Sequence, residues 1–181
     1  MTDQVIELDT QMTGLKRVSN GEIIPKEILQ DSIALAEKLG NTISEINSGL
    51  ETFARQGFRG EGLIAMTEAS TLFSNISEMS VEEASSGLTS IIKGFQLLPA
   101  EVMKSVDSIN EVDNNFAISS ENIVSSISKS VGSAKTFGVE LEELIGMTVA
   151  IGETTRESGK IIGKVIADIK FSLINWETLN I

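Results

Sequence analysis

The chain contains no cysteine and no histidine. The first absence removes disulfides, thiolate metal sites and a cysteine nucleophile; the second removes the commonest general base and transition-metal ligand. Most hydrolytic and zinc chemistry goes with them. Aromatic residues are only 4% of the 181, with one Trp and no Tyr, so any core must be built from Ile, Leu, Val and Ala. Basic residues are outnumbered, 14 against 26 acidic, for a net charge of -12. Such a surface repels phosphate, which makes nucleic acid and anionic lipid poor primary partners. Hydrophobic residues nevertheless reach 41%, too many for a disordered chain.

Long apolar runs are missing as well. The start, MTDQVIELDTQMTGLKRVSNG, carries acids where a signal peptide needs a basic end and an unbroken apolar stretch, so export by that route is not expected and the chain is expected to begin in the cytoplasm. The most apolar window, Leu144 to Ile151, falls far short of the ~20 residues of a membrane helix. Lys160, Lys164, Asp168 and Lys170 place charges at short intervals beyond it, and no transmembrane span is expected.

The dominant pattern is a three-four alternation of apolar residues. Val81, Ala84, Leu88, Ile91, Phe95 and Leu98 keep to it without a miss. The same spacing runs through Ile43, Ile46, Leu50 and Phe53, through Leu63, Met66, Phe73 and Ile76, through Val102, Val106, Ile109, Val112 and Phe116, and through Ile127, Val131 and Ala134. No segment alternates as a strand does. The spacing predicts an all-α protein of consecutive amphipathic helices, each about 14–18 residues long, in a hairpin or elongated bundle arrangement.

Punctuation sets the helix ends. Pro25 suits a first helical position and Gly40 a left-handed stop. Thr42 with Glu45, and Ser80 with Glu83, make capping boxes. Pro99 opens a segment, Ser119 or Ser120 caps another, and Gly138 ends it. Starts near Ser80, Pro99, Ser119 and Val139 recur about every twenty residues, one helix plus one tight joint. The expected organisation is a weakly structured N-terminal arm at 1–24, a helical hairpin at 25–57, a helical core at 58–167 and a tail at 168–181.

Four stretches have the look of sites. DSINEVDNNFAISSENI, Asp107 to Ile123, gathers carboxylates and amides, yet an EF-hand fails in both registers: counting from Asp107 the third position is Ile109, and counting from Asp113 the sixth is Ile118 where Gly is needed. With Val106, Ile109, Val112 and Phe116 on one face, Asp107, Glu111 and Asn114 fall on a solvated face that runs into an Asn-rich joint. GFRGEG, at Gly57 to Gly62, lacks the Lys-Ser/Thr of a phosphate loop and reads as a flexible joint with Arg55 and Arg59 as exposed charges. The serines of SSENIVSSISKSVGS lack a histidine to activate them and read as polar helix faces. GKIIG has small residues four apart, which marks either a close helix crossing or a flexible segment; Gly146, Gly152, Gly159 and Gly163 are the candidate hinge positions.

The stretches LIAMTEASTLFSNISEMSVEEASSGLTSIIKGF and VDSINEVDNNFAISSENIVSSISKSVGSAKTFGVELEELIGMTVAIGETTRESGKIIG carry a family resemblance. From about Leu50 to Ile166 the chain resembles the core region of phage tail tape measure proteins, through an S-x-E-E-A helix start, an A/I-rich helix closing in Phe, a Val/Asp-rich helix ending in Asn, an S-x-E-x-I start and G-V-x-x-E-E-L, in that order. The resemblance implies an elongated helical structural protein, held by tail chaperones and initiator proteins during assembly inside the tail tube, with no catalytic residue, metal or cofactor. It places the protein in the host cytoplasm during assembly and in the tail interior of the virion. The 58–167 segment is then the tape-measure-like core.

Family members continue far beyond this core, whereas the last residues here, KFSLINWETLNI, match nothing in it. One unbroken helix of this length would reach only ~270 Å. The chain is therefore expected to be a piece of a longer protein, the product of a truncated prophage gene, or a small protein using the core for another task. The candidate helix-association seam is Val81, Ala84, Leu88, Ile91, Phe95, Val102, Val106, Ile109, Phe116, Ile127 and Val131, shared between internal core and partner surface. Self-association and phage tail proteins are the expected partners. The alternative is a stand-alone, phage-encoded helical binding module that engages a host or phage protein; a carboxylate enzyme using Asp107, Glu111 or Asp113 stands third.

Overall fold

The computed structural model describes the backbone of residues 2–179 and the side chains of residues 5–169. Among the described residues the protein is all-α, with α1 (Thr2–Val18), α2 (Pro25–Leu39), α3 (Ile43–Arg55), α4 (Gly60–Ile76), α5 (Val81–Phe95), a 3₁₀ turn (Pro99–Glu101), α6 (Val102–Asn115), α7 (Ser120–Thr136), α8 (Leu141–Thr155) and α9 (Gly159–Leu179). None of these helices is long and apolar enough to cross a membrane.

The punctuation works as the residue types dictate. Pro25 is the first residue of α2, and Gly40, at φ 74°, closes it while its N–H bonds the Ala36 carbonyl. The Thr42 hydroxyl accepts the Glu45 N–H at 3.2 Å, and the Glu45 carboxylate accepts the Thr42 N–H at 2.8 Å. Ser80 and Glu83 repeat the exchange at the start of α5. Ser119 caps α7 by accepting the Asn122 N–H.

Two members of the apolar rows fall outside their helices, Leu98 and Phe116. Gln96 takes a left-handed φ of 58°, so α5 stops at Phe95 and Leu98 stands 66% exposed outside it. The expected weakly structured arm also differs, because residues 2–18 form α1 and bury Met12 and Leu15. The 3.6-residue spacing of Leu8, Met12 and Leu15 is short, but burial of two large side chains supplies what propensity does not.

The chain divides into two compact units, Met1–Asn75 with Ser80–Ser85 and Ile76–Met79 with Ser86–Ile181. In the first, Leu15, Ile46, Leu50, Phe53, Leu63, Met66 and Phe73 are fully buried. Each contributes about 1.5–3 kcal/mol by leaving water. A single buried amide ties three helices: Asn47 on α3 donates to Gln11 of α1 at 3.1 Å and accepts the Ser32 hydroxyl of α2 at 2.6 Å. With both ends of the amide satisfied, this polar hub fixes helix register rather than costing stability.

In the second unit α7 is central. Gly159 of α9 lies against Asn122 and Gly163 against Ser126, so α7 and α9 advance in the same direction. Thr148 bonds Ser126 and Gly152 meets Ile118, so α8 runs the opposite way. Val124 and Val131 of α7 fill the spaces left by Gly87 and Gly94 of α5, a pair of matched seven-residue steps. Leu88, Ile91, Val106, Ile109, Ile123, Ile127 and Leu144 are fully buried in the core of this unit.

Candidate helix-association surface

The seam residues divide unevenly between inside and outside. Ala84, Leu88, Ile91, Val102, Val106, Ile109 and Ile127 are buried within the chain, while Val81, Phe95 and Val131 are half-buried. Phe116 is 48% exposed, because the helix ends at Asn115 and Phe116 turns to extended backbone. The apolar rows therefore build the internal core first. Further exposed apolar residues lie outside the seam, among them Ile161, Val165 and Ile169 on α9.

The carboxylate-rich span from Asp107 to Ile123 is a joint. Asp113 Oδ2 accepts both the N–H and the hydroxyl of Ser120, at 2.9 and 2.7 Å, which anchors the first turn of α7 to the end of α6. Glu153 accepts the Ala117 N–H at 3.2 Å, and Arg156 donates to the Ala117 carbonyl at 3.0 Å, so α8 clasps the connecting loop. Asp107 and Glu111 remain on the exposed face. Among the described residues no group of acidic side chains is placed to hold a metal.

Several serines of α7 and glycines of α9 are packed inside the second unit. Ser120, Ser126 and Ser130 are buried rather than solvated; the Ser130 hydroxyl donates to the Ser126 carbonyl, and Ser126 shares a 2.9 Å bond with Thr148. A serine whose hydroxyl is satisfied by its own helix packs as a small residue. Against the backbone of α7 stand Gly159 and Gly163, where an added Cβ would overlap the Asn122 and Ser126 carbonyls. Of the two readings of GKIIG, the structure shows the close crossing. Asn122 also accepts the Gly159 N–H at 2.7 Å and so caps α9. Gly152 is packed too, its Cβ position 2.6 Å from Ile118 Cδ1, while Gly146 faces open space in mid-helix.

Arg59, expected as an exposed charge, is a clasp within the first unit. Its guanidinium pairs with Glu22 at 2.8 Å and donates to the Ala54 carbonyl at 2.7 Å, the Phe58 carbonyl at 2.8 Å and the Val18 carbonyl at 3.5 Å. It thus neutralises the negative ends of α1 and α3 together. Only the position of Arg59 just past a helix end hinted at this.

At the Thr42 cap, the Thr42 N–H first and its hydroxyl second hold the Glu45 carboxyl below its ordinary value. A lowered carboxyl pKa adds stability above its unfolded value, about 4.5, and that stability is lost as pH falls through the folded value. Thr42→Ala is expected to cost the first unit about 1 kcal/mol near neutrality. Urea denaturation followed by circular dichroism at pH 7 and pH 3.5 checks this; the gap between variant and wild type should narrow at the lower pH.

A family model described as phage-related minor tail protein matches residues 30–168. No solved structure matches the chain.

Proposed function

The chain belongs to the family of phage-related minor tail proteins, and from that premise we propose that it is the core segment of a tape measure protein, acting in tail length determination and tail assembly by helix association. The membership makes it an all-helical structural component of phage tails. The observation that carries the finer reading is the succession of short capped helices across the matched residues, together with the motif order that resembles the tape measure core. Successive helices are separated by short joints, and α3, α5 and α7 start at side-chain caps, so on this reading the segment converts between packed hairpins and a longer helical run by opening joints rather than by breaking helices. Its partners on this reading are further copies and the chaperone, tube and initiator proteins of the tail. It resides in the host cytoplasm during assembly and in the tail interior afterwards.

Tail length tests the reading. An in-frame deletion of residues 81–115 in the phage carrying this sequence is expected to shorten the tail by roughly 50 Å, at about 1.5 Å per residue of extended helix, and a duplication to lengthen it equally. Electron microscopy of purified tails measures both. Tails of unchanged length in both variants would overturn the ruler role and favour a binding module engaging a host or phage protein.

A further inference from the structure

A groove in the first unit takes in Gly60 and Glu61 of the GFRGEG stretch. The segments that lead into α2 and α4 are tied by the Glu22–Arg59 ion pair, the helices themselves by Lys38–Glu68, and between them runs the groove, of about 590 Å³. Its apolar lining includes Ile28, Ile64 and Ile24, the last 53% exposed. Its rim carries Glu27, Asp31 and Glu61. An apolar floor with an acidic rim suits a helix with a row of apolar residues bordered by cations.

The second unit presents such a helix. On α9, Ile161, Val165 and Ile169 stand 47%, 39% and 51% exposed at four-residue steps, one continuous row. Lys160 and Lys164 precede the first two by one position and are exposed, so they border the row along one edge, where Asp168 also lies. In a chain of net charge -12, most approaches between copies are repulsive. The α9 face and the groove are complementary in both sign and hydrophobicity.

We infer that the α9 face of one copy docks in the α2–α4 groove of a second copy. The apolar row lies on Ile24, Ile28 and Ile64, and the two lysines meet Glu27, Asp31 and Glu61. Donor and acceptor surfaces differ, so the contact is heterologous and each added copy leaves one groove and one α9 face open. Growth is then linear and salt-sensitive. This rests on the helix-association reading above and names its surfaces.

Sedimentation equilibrium of the full chain tests it. Wild type is expected to gain mass with concentration and to lose it as salt rises. Lys160→Glu with Lys164→Glu, and separately Glu27→Lys with Asp31→Lys and Glu61→Lys, each reverse exposed charges and should weaken association about tenfold or more, with unchanged helicity by circular dichroism. Mixed together, the two variants should associate again, because the acidic groove of one accepts the basic α9 of the other and the two reversed surfaces pair likewise. Association of the groove variant at wild-type strength would overturn the groove assignment and leave helix association standing, with α9 meeting another surface. A wild type that stays monomeric at every concentration would overturn self-docking, while tail length independently decides the ruler role.

Discussion

Leu88→Asp is expected to unfold the second unit. Leu88 has no exposed surface in the middle of α5, and removal of a large core side chain costs about 2–5 kcal/mol. A carboxylate placed there adds several kcal/mol more, since it must be buried without a partner or protonated. The sum is about 5 kcal/mol or more, as large as the whole stability of many domains. Leu98→Asp is the control. It belongs to the same periodic row in the sequence yet stands 66% exposed, and its cost should stay within about 0.5 kcal/mol. Thermal unfolding followed by circular dichroism separates the two. Full helicity and an unchanged melting curve for Leu88→Asp would remove that residue from the core.

The contrast between Leu88 and Leu98 shows what could be read in the sequence and why some was hidden. Apolar spacing located the helices, and caps located their ends, because both depend on residues within a few positions of one another. Gly40, Thr42 with Glu45, and Ser80 with Glu83 do locally what their side chains allow. The end of α5 at Phe95 was not legible, because Gln96 adopts a left-handed conformation that its type does not announce. Arg59 was misread for a related reason. Its acceptors at Val18 and Ala54 belong to two helix ends, one of them distant in sequence, and only the fold brings them together.

Serine was the larger misreading. Polarity assigns the serines of SSENIVSSISKSVGS to polar helix faces, but Ser120, Ser126 and Ser130 are buried, and their size decides their place. Asp113 satisfies Ser120, Thr148 satisfies Ser126, and the Ser126 carbonyl satisfies Ser130, so all three hydroxyls are paired inside the fold, and at Ser126 the backbone of Gly163 comes into contact. The glycines of α9 supply the other half of the contact. Neither half identifies the crossing alone, since small residues four apart on one helix say nothing of what lies opposite.

That crossing gives a sign test with one substitution type at two sites. Gly146 lies in α8 with no neighbour near its Cβ position, so Gly146→Ala removes a glycine from a helix interior and should stabilise the second unit by about 0.5–1 kcal/mol. Gly163 lies in α9 with the Ser126 backbone against it and Lys129 Cβ 2.8 Å from where a methyl would stand. The same helix-propensity gain applies to Gly163→Ala, but backbone cannot rotate away as a side chain can. The overpacking cost of about 1–3 kcal/mol outweighs the gain, and the variant should be destabilised. Gly159→Ala, against the Asn122 carbonyl, should behave likewise and also disturb the cap on α9. Urea midpoints for the three variants decide the matter. If all three rise together, the glycines are ordinary helix positions and α7 and α9 do not touch; if Gly146→Ala alone rises, the small faces of the two helices are what lets the core of the second unit close.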